Sequence, residues 1–252
     1  CCCRGGGRAC RSGDCRIDLV LHIGISPRMG TLFALARRAS FLFVEGDWMK
    51  VLVTGFEPFG ADSINASWEA VRRLPKRTAG IDIVAKCVPV VFGDAARIVE
   101  ELIEQERPDA VLCTGVAVGR AQVTPEYVAI NHRHARIADN EGFQPYDEPV
   151  VAGAPDAYFA TAPVYAMVKA CCEQGIPAAV SYSAGTYCCN DLFYSVRHFA
   201  QQRYPGMLVD FIHVPQCPEQ VAATGEAKPS MEPAMAARAL EIMIETLFKD
   251  GS

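Results

Sequence analysis

The chain has 252 residues, 50% of them apolar and 21% charged, with a formal net charge of −5. That length buries a core without disulfide or metal staples, and the acidic balance offers no field for nucleic acid. No apolar run approaches the ~20 residues of a membrane-spanning helix, so a cytoplasmic protein acting on small substrates is expected, with no membrane contact.

The opening segment differs from the rest. Residues 1–48 contain seven Arg and no Lys, and five of the twelve cysteines (Cys1, Cys2, Cys3, Cys10 and Cys15) crowd its start. That spacing matches no usual zinc pattern. The apolar stretch Ile17–Ile25 is short and has no small-residue cleavage site after it, unlike a secretory signal. An Arg-rich targeting peptide is a second reading. The reading that accounts for most features is translated upstream sequence or a disordered appendage, with the native start at Met49. The expected division is therefore an N-terminal extension over 1–48 and one α/β domain over 49–252. The remaining cysteines (Cys87, Cys113, Cys171, Cys172, Cys188, Cys189 and Cys217) are scattered, most among apolar neighbours, as reduced, buried thiols usually are.

In chain order, Met49–Thr54 reads as a buried strand ending at Gly55. Asn65 is placed to cap a helix from Ala66 to about Leu74, with Trp68 and Val71 inward. Ile81–Val88 is a second strand. Asp94–Arg107 forms an amphipathic helix with Ala95, Ile98, Val99, Leu102 and Ile103 on one stripe. Pro108 stops it, and Ala110–Thr114 is another buried strand. Val123–Asn131, interrupted by Pro125 and Glu126, reads as an irregular or edge strand. From His132 to Asp156 a long loop is expected, of the kind that usually carries function. Thr161 and Pro163 open a helix with Val164, Met167, Val168, Cys171 and Cys172 inward, closed by Gly175. Ala178–Ser183 is a strand, Cys189–Gln202 a helix, and Leu208–Val214 the last strand. A C-terminal helix shows Met235, Ala239, Met243 and Leu247 at four-residue intervals. Strands alternating with helices imply one domain with a twisted, mostly parallel open sheet covered on both faces. Chemistry in such folds sits beyond the carboxyl ends of the strands.

Three residues are candidates for such chemistry. Cys189 follows a strand-to-turn segment and opens a helix, where unpaired N–H groups and the helix dipole favour a thiolate; alternatively it is a small buried hydrophobe. His213 ends the last strand, either as a satisfied core residue or as a base. Glu126 sits in an apolar segment, where it either faces solvent or orients a polar partner such as an imidazole. His132 and His134 form a His-x-His pair without an evident third ligand, so no metal is expected. Neither GxGxxG nor a P-loop occurs, so no cofactor is expected.

Read together, the motifs resemble the pyroglutamyl-peptidase I family of cysteine peptidases, from Met49 to Phe248. Val51–Gly60 (VLVTGFEPFG) is similar to the family's opening strand and phenylalanine-bearing loop. Gly119–Asn131 (GRAQVTPEYVAIN) resembles its glutamate segment, Ala135–Gly142 (ARIADNEG) its arginine loop, and Gly153–Phe159 (GAPDAYF) another recurrent stretch. Ser183–Asn190 (SAGTYCCN) resembles the nucleophile segment and Phe211–Gln220 (FIHVPQCPEQ) the histidine segment. The resemblance implies hydrolysis of an N-terminal pyroglutamyl residue from peptides, with Cys189 as nucleophile, His213 as base and Glu126 orienting it. It also implies a supporting or oxyanion role for Arg136, and substrate contacts from Phe56, Phe59, Tyr187 and Asn65. A homo-oligomer, a tetramer by family habit, is implied too.

The chain departs from the pattern in places. Valines stand at 116 and 118, Tyr127 replaces an arginine, Ala138 a proline, and Gln216-Cys217 a tyrosine-isoleucine pair. Cys188 stands where relatives have an apolar residue, so it is expected to be buried and inert. These departures bear on substrate detail. A Cys–His acyl hydrolase with another substrate, or a non-catalytic lactam- or peptide-binding relative, is the alternative reading.

Overall fold

The computed structural model describes residues 48–249. The readings made of residues 1–47 lie outside the described residues. Strands β1 (Lys50–Phe56), β3 (Ile81–Val88), β4 (Ala110–Val116) and β8 (Leu208–Val214) form a parallel core. Short antiparallel strands close its ends: β2 (Arg77–Thr78) beside β3, and β5 (Thr124–Pro125) beside β8. The sheet order is β2-β3-β1-β4-β8-β5, and β6 (Val128–Ile130) pairs separately with β7 (Ala157–Phe159). The mostly parallel α/β sheet read from the sequence is therefore present.

Alternation along each strand builds two cores. Val51, Val53, Ala110, Leu112, Ile212 and Val214 face one cluster. Helices α1 (Ala66–Val71), α3 (Val164–Glu173) and α6 (Pro233–Thr246) cover it. Leu52, Val111, Cys113, Val209 and Phe211 face the other, under α2 (Asp94–Glu106) and α4 (Cys188–Arg203). A Cβ on Gly55 would lie 2.7 Å from the Trp68 backbone, so α1 crosses β1 as closely as it does only over a glycine. The seven cysteines among the described residues are free thiols. No helix among the described residues is long and apolar enough to cross a membrane.

Several expected boundaries move. Helix α1 ends at Val71 rather than Leu74; residues 72–74 continue as tight turns, with Arg73 and Leu74 N–H bonding three residues back, before Pro75. Ala178–Ser183 is not a strand. It runs beside residues 123–127 with only two isolated bridges, Val123 to Ala178 and Glu126 to Ser181. Pro125 accepts from the Ser181 N–H but has no N–H of its own to give, so the ladder breaks between those bridges. The expected strand over Val123–Asn131 splits into β5 and β6, which belong to different sheets. Cys172 is exposed rather than inward, and Met235 is exposed too. At about 100° per residue, four-residue steps drift about 40° each, which carries Met235 off the face that buries Ala239, Met243 and Leu247. Strands β2 and β7 and the short helix α5 (Pro218–Thr224) have no counterpart in the sequence reading.

Candidate active site

The carboxyl ends of the parallel strands β1, β4 and β8 lie side by side, with the start of antiparallel β5 beside the end of β8, and the candidate residues gather there. His213 on β8 is register partner to Gly115 on β4 and to Thr124 on β5. Glu126, one residue past β5, donates its backbone N–H to Phe211 O at 2.8 Å. The antiparallel return of β5 along β8 thus delivers the carboxylate to the imidazole: Glu126 Oε1 lies 2.7 Å from His213 Nδ1, both side chains buried. An imidazole that gives its Nδ1 proton to a carboxylate presents Nε2 as a bare acceptor.

Cys189 enters from the opposite layer. It is the second residue of α4, and its Sγ stands 2.9 Å from where a Cβ on Gly115 would be, over the residue paired with His213. The helix start is fixed by its next two residues. Buried Asn190 takes the Ile130 N–H and donates to the carbonyls of Ile130 and His132. Asp191 accepts from the Gly93 N–H and pairs with Arg133. Cys188, one residue earlier, is 2% exposed and sits in the apolar cluster under α4. Burial raises its thiol.

The electrostatics describe a neutral resting pair. Burial and the Glu126 carboxylate push the Cys189 thiol up to about 12, partly offset by Arg120 and by its own backbone N–H. Burial also lowers the His213 imidazole below its ordinary 6.5, outweighing the upward pull of Glu126. Burial alone would raise Glu126, but the hydrogen bond and charge of His213, with help from Ser181 and Arg120, hold it below its usual value. The site therefore holds a protonated thiol, a neutral imidazole and an ionised glutamate, a set suited to proton transfer during attack rather than to a standing thiolate.

Beside the thiol lies an aromatic wall. Phe56 is buried against Phe211, ring centroids 6.4 Å apart, while half-buried Phe59 meets Tyr187 edge-on at 5.8 Å. Tyr187 packs on Phe92 and donates its hydroxyl to Ala138 O at 2.9 Å. The loop carrying Phe59 is tied from both sides. Asn140 donates to Glu57 and to Pro58 O, and Gln220 donates to Asp62. Asn65 caps α1 through the Ser67 N–H and ties Glu57 O at 2.9 Å, so the structure gives it a part in holding this loop. Arg136 is exposed and makes no hydrogen bond or ion pair among the described residues.

Residues outside the sequence reading also belong here. Arg120 donates from Nη1 to Glu126 Oε1 at 2.7 Å and to Thr124 Oγ1 at 2.6 Å, and from Nη2 to Ser183 O at 3.2 Å. Gly115 makes the space that the thiol occupies. An arginine in a Gly-Arg turn reads by default as exposed, and only the return of β5 reveals its partner. His132 and His134 stack with centroids 6.4 Å apart, and the nearest acid contact is His132 Nδ1 to Asp147 Oδ1 at 3.9 Å. Among the described residues no group of three or more His, Cys, Asp or Glu is placed to hold a metal.

Comparison with known proteins bears on the family and the fold. A family model described as pyroglutamyl peptidase matches residues 49–250. A pyrrolidone-carboxylate peptidase of Thermococcus onnurineus is 48% identical over 201 residues, covering 80% of this chain and all of the relative. One from Thermococcus kodakarensis is 50% identical over 202 residues, 80% of this chain and 97% of the relative. Among solved structures, a pyroglutamyl peptidase I from Bacillus amyloliquefaciens superposes with TM-score 0.78 at 41% identity, covering 81% of this chain and 97% of that one. The chain belongs to the pyroglutamyl peptidase family of cysteine peptidases.

Proposed function

We propose that the protein hydrolyses the bond joining an N-terminal pyroglutamyl residue to the rest of a peptide, through a thioester on Cys189. The observation that carries this reading is the buried 2.7 Å bond from His213 to Glu126 beside a helix-start cysteine. His213 takes the thiol proton as Cys189 Sγ attacks the pyroglutamyl carbonyl carbon, and the pair passes through a tetrahedral oxyanion. The Cys189 N–H, at the open end of α4, is the first donor to that oxyanion. The amine then leaves with the proton from His213. Water, deprotonated by the same imidazole, hydrolyses the thioester and restores the thiol. Glu126 stabilises the imidazolium that forms in each half-reaction and fixes its tautomer.

The uncharged lactam ring suits the wall formed by Phe56, Phe59 and Tyr187, with Asn65 holding the Phe59 loop in place. Arg136, exposed and uncommitted, is free to meet substrate in an oxyanion-supporting or positioning role. The free thiols fit a reducing compartment, the cytoplasm, and the family likeness supports a homo-oligomer, a tetramer. The test is release of aminocoumarin from pyroglutamyl-aminomethylcoumarin by the full chain and by Cys189→Ala. Release by the first alone supports the reading. Silence from a folded wild-type chain moves the reading to another acyl substrate.

A further inference from the structure

We infer that Arg120 is a positioning residue of the reaction: its guanidinium holds the carboxylate of Glu126 against His213 and ties both to the loop that carries the nucleophile. The inference rests on Cys189 and His213 being the reacting pair. Three contacts carry it. The Nη1 of Arg120 bonds the same Glu126 oxygen, Oε1, that His213 bonds through Nδ1, each at 2.7 Å. That nitrogen also bonds the hydroxyl of Thr124, whose backbone pairs with His213 across β5 and β8. The other arm, Nη2, reaches Ser183 O at 3.2 Å, in the segment that leads through Gly185 to Cys189.

A planar fork bridging a carboxylate, a strand hydroxyl and a loop carbonyl fixes three elements with one side chain. The turn that aims it is local. Past β4 the chain reverses through Gly119 at φ +86°, with the Arg120 N–H bonding Ala117 O. This sets Arg120 six residues before Glu126 on the strand that returns along β8. Arg120 keeps about a third of its side chain exposed, whereas Glu126 is fully buried, so the cation serves the carboxylate more than the fold.

The charge has a second consequence. The groups acting on His213 are Glu126, which raises its proton affinity, and Arg120, which lowers it along with burial. Those acting on the Cys189 thiol are Glu126 and Cys113, which raise it, and Arg120, which lowers it. Asp210 on β8 also feels the charge of Glu126, and burial pushes its carboxyl well up. Arg120 is therefore the one cation among the described residues that offsets Glu126 at both reacting groups. Without it the imidazole holds its proton to higher pH and the thiol yields its proton less readily.

The test compares the full-length wild type with Arg120→Gln and Arg120→Lys in two measurements. The first is kcat and KM for pyroglutamyl-aminomethylcoumarin across pH. The second is the rate at which iodoacetamide alkylates Cys189, followed by peptide mass, which needs no turnover. The expected result for Arg120→Gln is a loss of kcat of ~10–100-fold with KM little changed, as for a misplaced catalytic group. Its acid limb of kcat/KM should move to higher pH, and its alkylation at pH 8 should slow. Arg120→Lys, which keeps charge without the fork, should recover the alkylation rate and part of kcat. An Arg120→Gln enzyme with wild-type pH profile and alkylation rate overturns the inference, as does a loss confined to KM. Unfolding of both variants assigns Arg120 to the fold and overturns it too. If the wild type itself releases no aminocoumarin, the proposed activity fails by itself, and the alkylation arm still decides the role of Arg120.

Discussion

Gly115 is the position where a single methyl group reports on the site most sharply. Its backbone is of ordinary conformation, so alanine brings no φ strain, only volume. The added Cβ would meet Phe211 Cζ at 2.8 Å, Cys189 Sγ at 2.9 Å and Phe211 Cε1 at 3.2 Å, all inside normal contact distance. Phe211 cannot yield, being fully buried with its ring against Phe56, Phe193 and His213. The partly buried thiol is the softer neighbour and must swing away. Overpacking of this kind costs ~1–3 kcal/mol, and each kcal/mol lowers Tm by about 2–4 °C in a chain of this size. A nucleophile displaced by the same clash loses ~100-fold in rate. Thermal unfolding and kcat on the aminocoumarin substrate read the two effects separately. Gly206→Ala is the control, because a Cβ there meets nothing within 4 Å. Wild-type kcat in Gly115→Ala would refute the placement of the Cys189 thiol over β4.

The other expectations are more direct. Cys189→Ser should abolish hydrolysis, whereas Cys188→Ser should keep much of it, since the Cys188 side chain lies buried in the apolar cluster. The acid limb of kcat/KM should fall below the ordinary imidazole value of 6.5, because burial lowers His213; a limb above that value would contradict the neutral pair. Asp210→Asn should flatten part of the pH dependence of stability. The folded carboxyl of Asp210 is raised well above 3.8 by burial. It therefore favours folding below the unfolded value and loses that contribution as pH rises toward the folded one. Urea midpoints should show the variant gaining on wild type as pH rises above the unfolded carboxyl value, and no relative gain would show that Asp210 is not held protonated. Asn65→Ala should cost ~1 kcal/mol as a lost helix cap, measured by thermal unfolding.

The parallel strands were legible because Val51–Val53 and Ala110–Leu112 are buried on both faces and therefore read as unbroken apolar runs. Helix α2 was legible from its stripe. What stayed hidden depended on partners distant in sequence. The break at Ala178–Ser183 follows from Pro125, more than fifty residues earlier. Strand β7 exists only because β6 lies beside it. Helix α5 is short, though Pro218 at its start and the Cys217–Gln220 capping box were local signs of it. Cys189, His213 and Glu126 each had a structural reading at least as good when taken singly, and the ordered motifs separated the readings. Arg120 had no such sign. Its role depends on β5 folding back along β8, which no local pattern encodes.

The central claim, acyl transfer through Cys189, is tested most directly by trapping the intermediate. Full-length enzyme mixed with pyroglutamyl-aminomethylcoumarin is quenched in acid during turnover, digested and mapped by fragment mass. A pyroglutamyl group on Cys189, absent from the Cys189→Ser chain, is the expected result. The acyl group on Cys188, or steady turnover by Cys189→Ser, would contradict it.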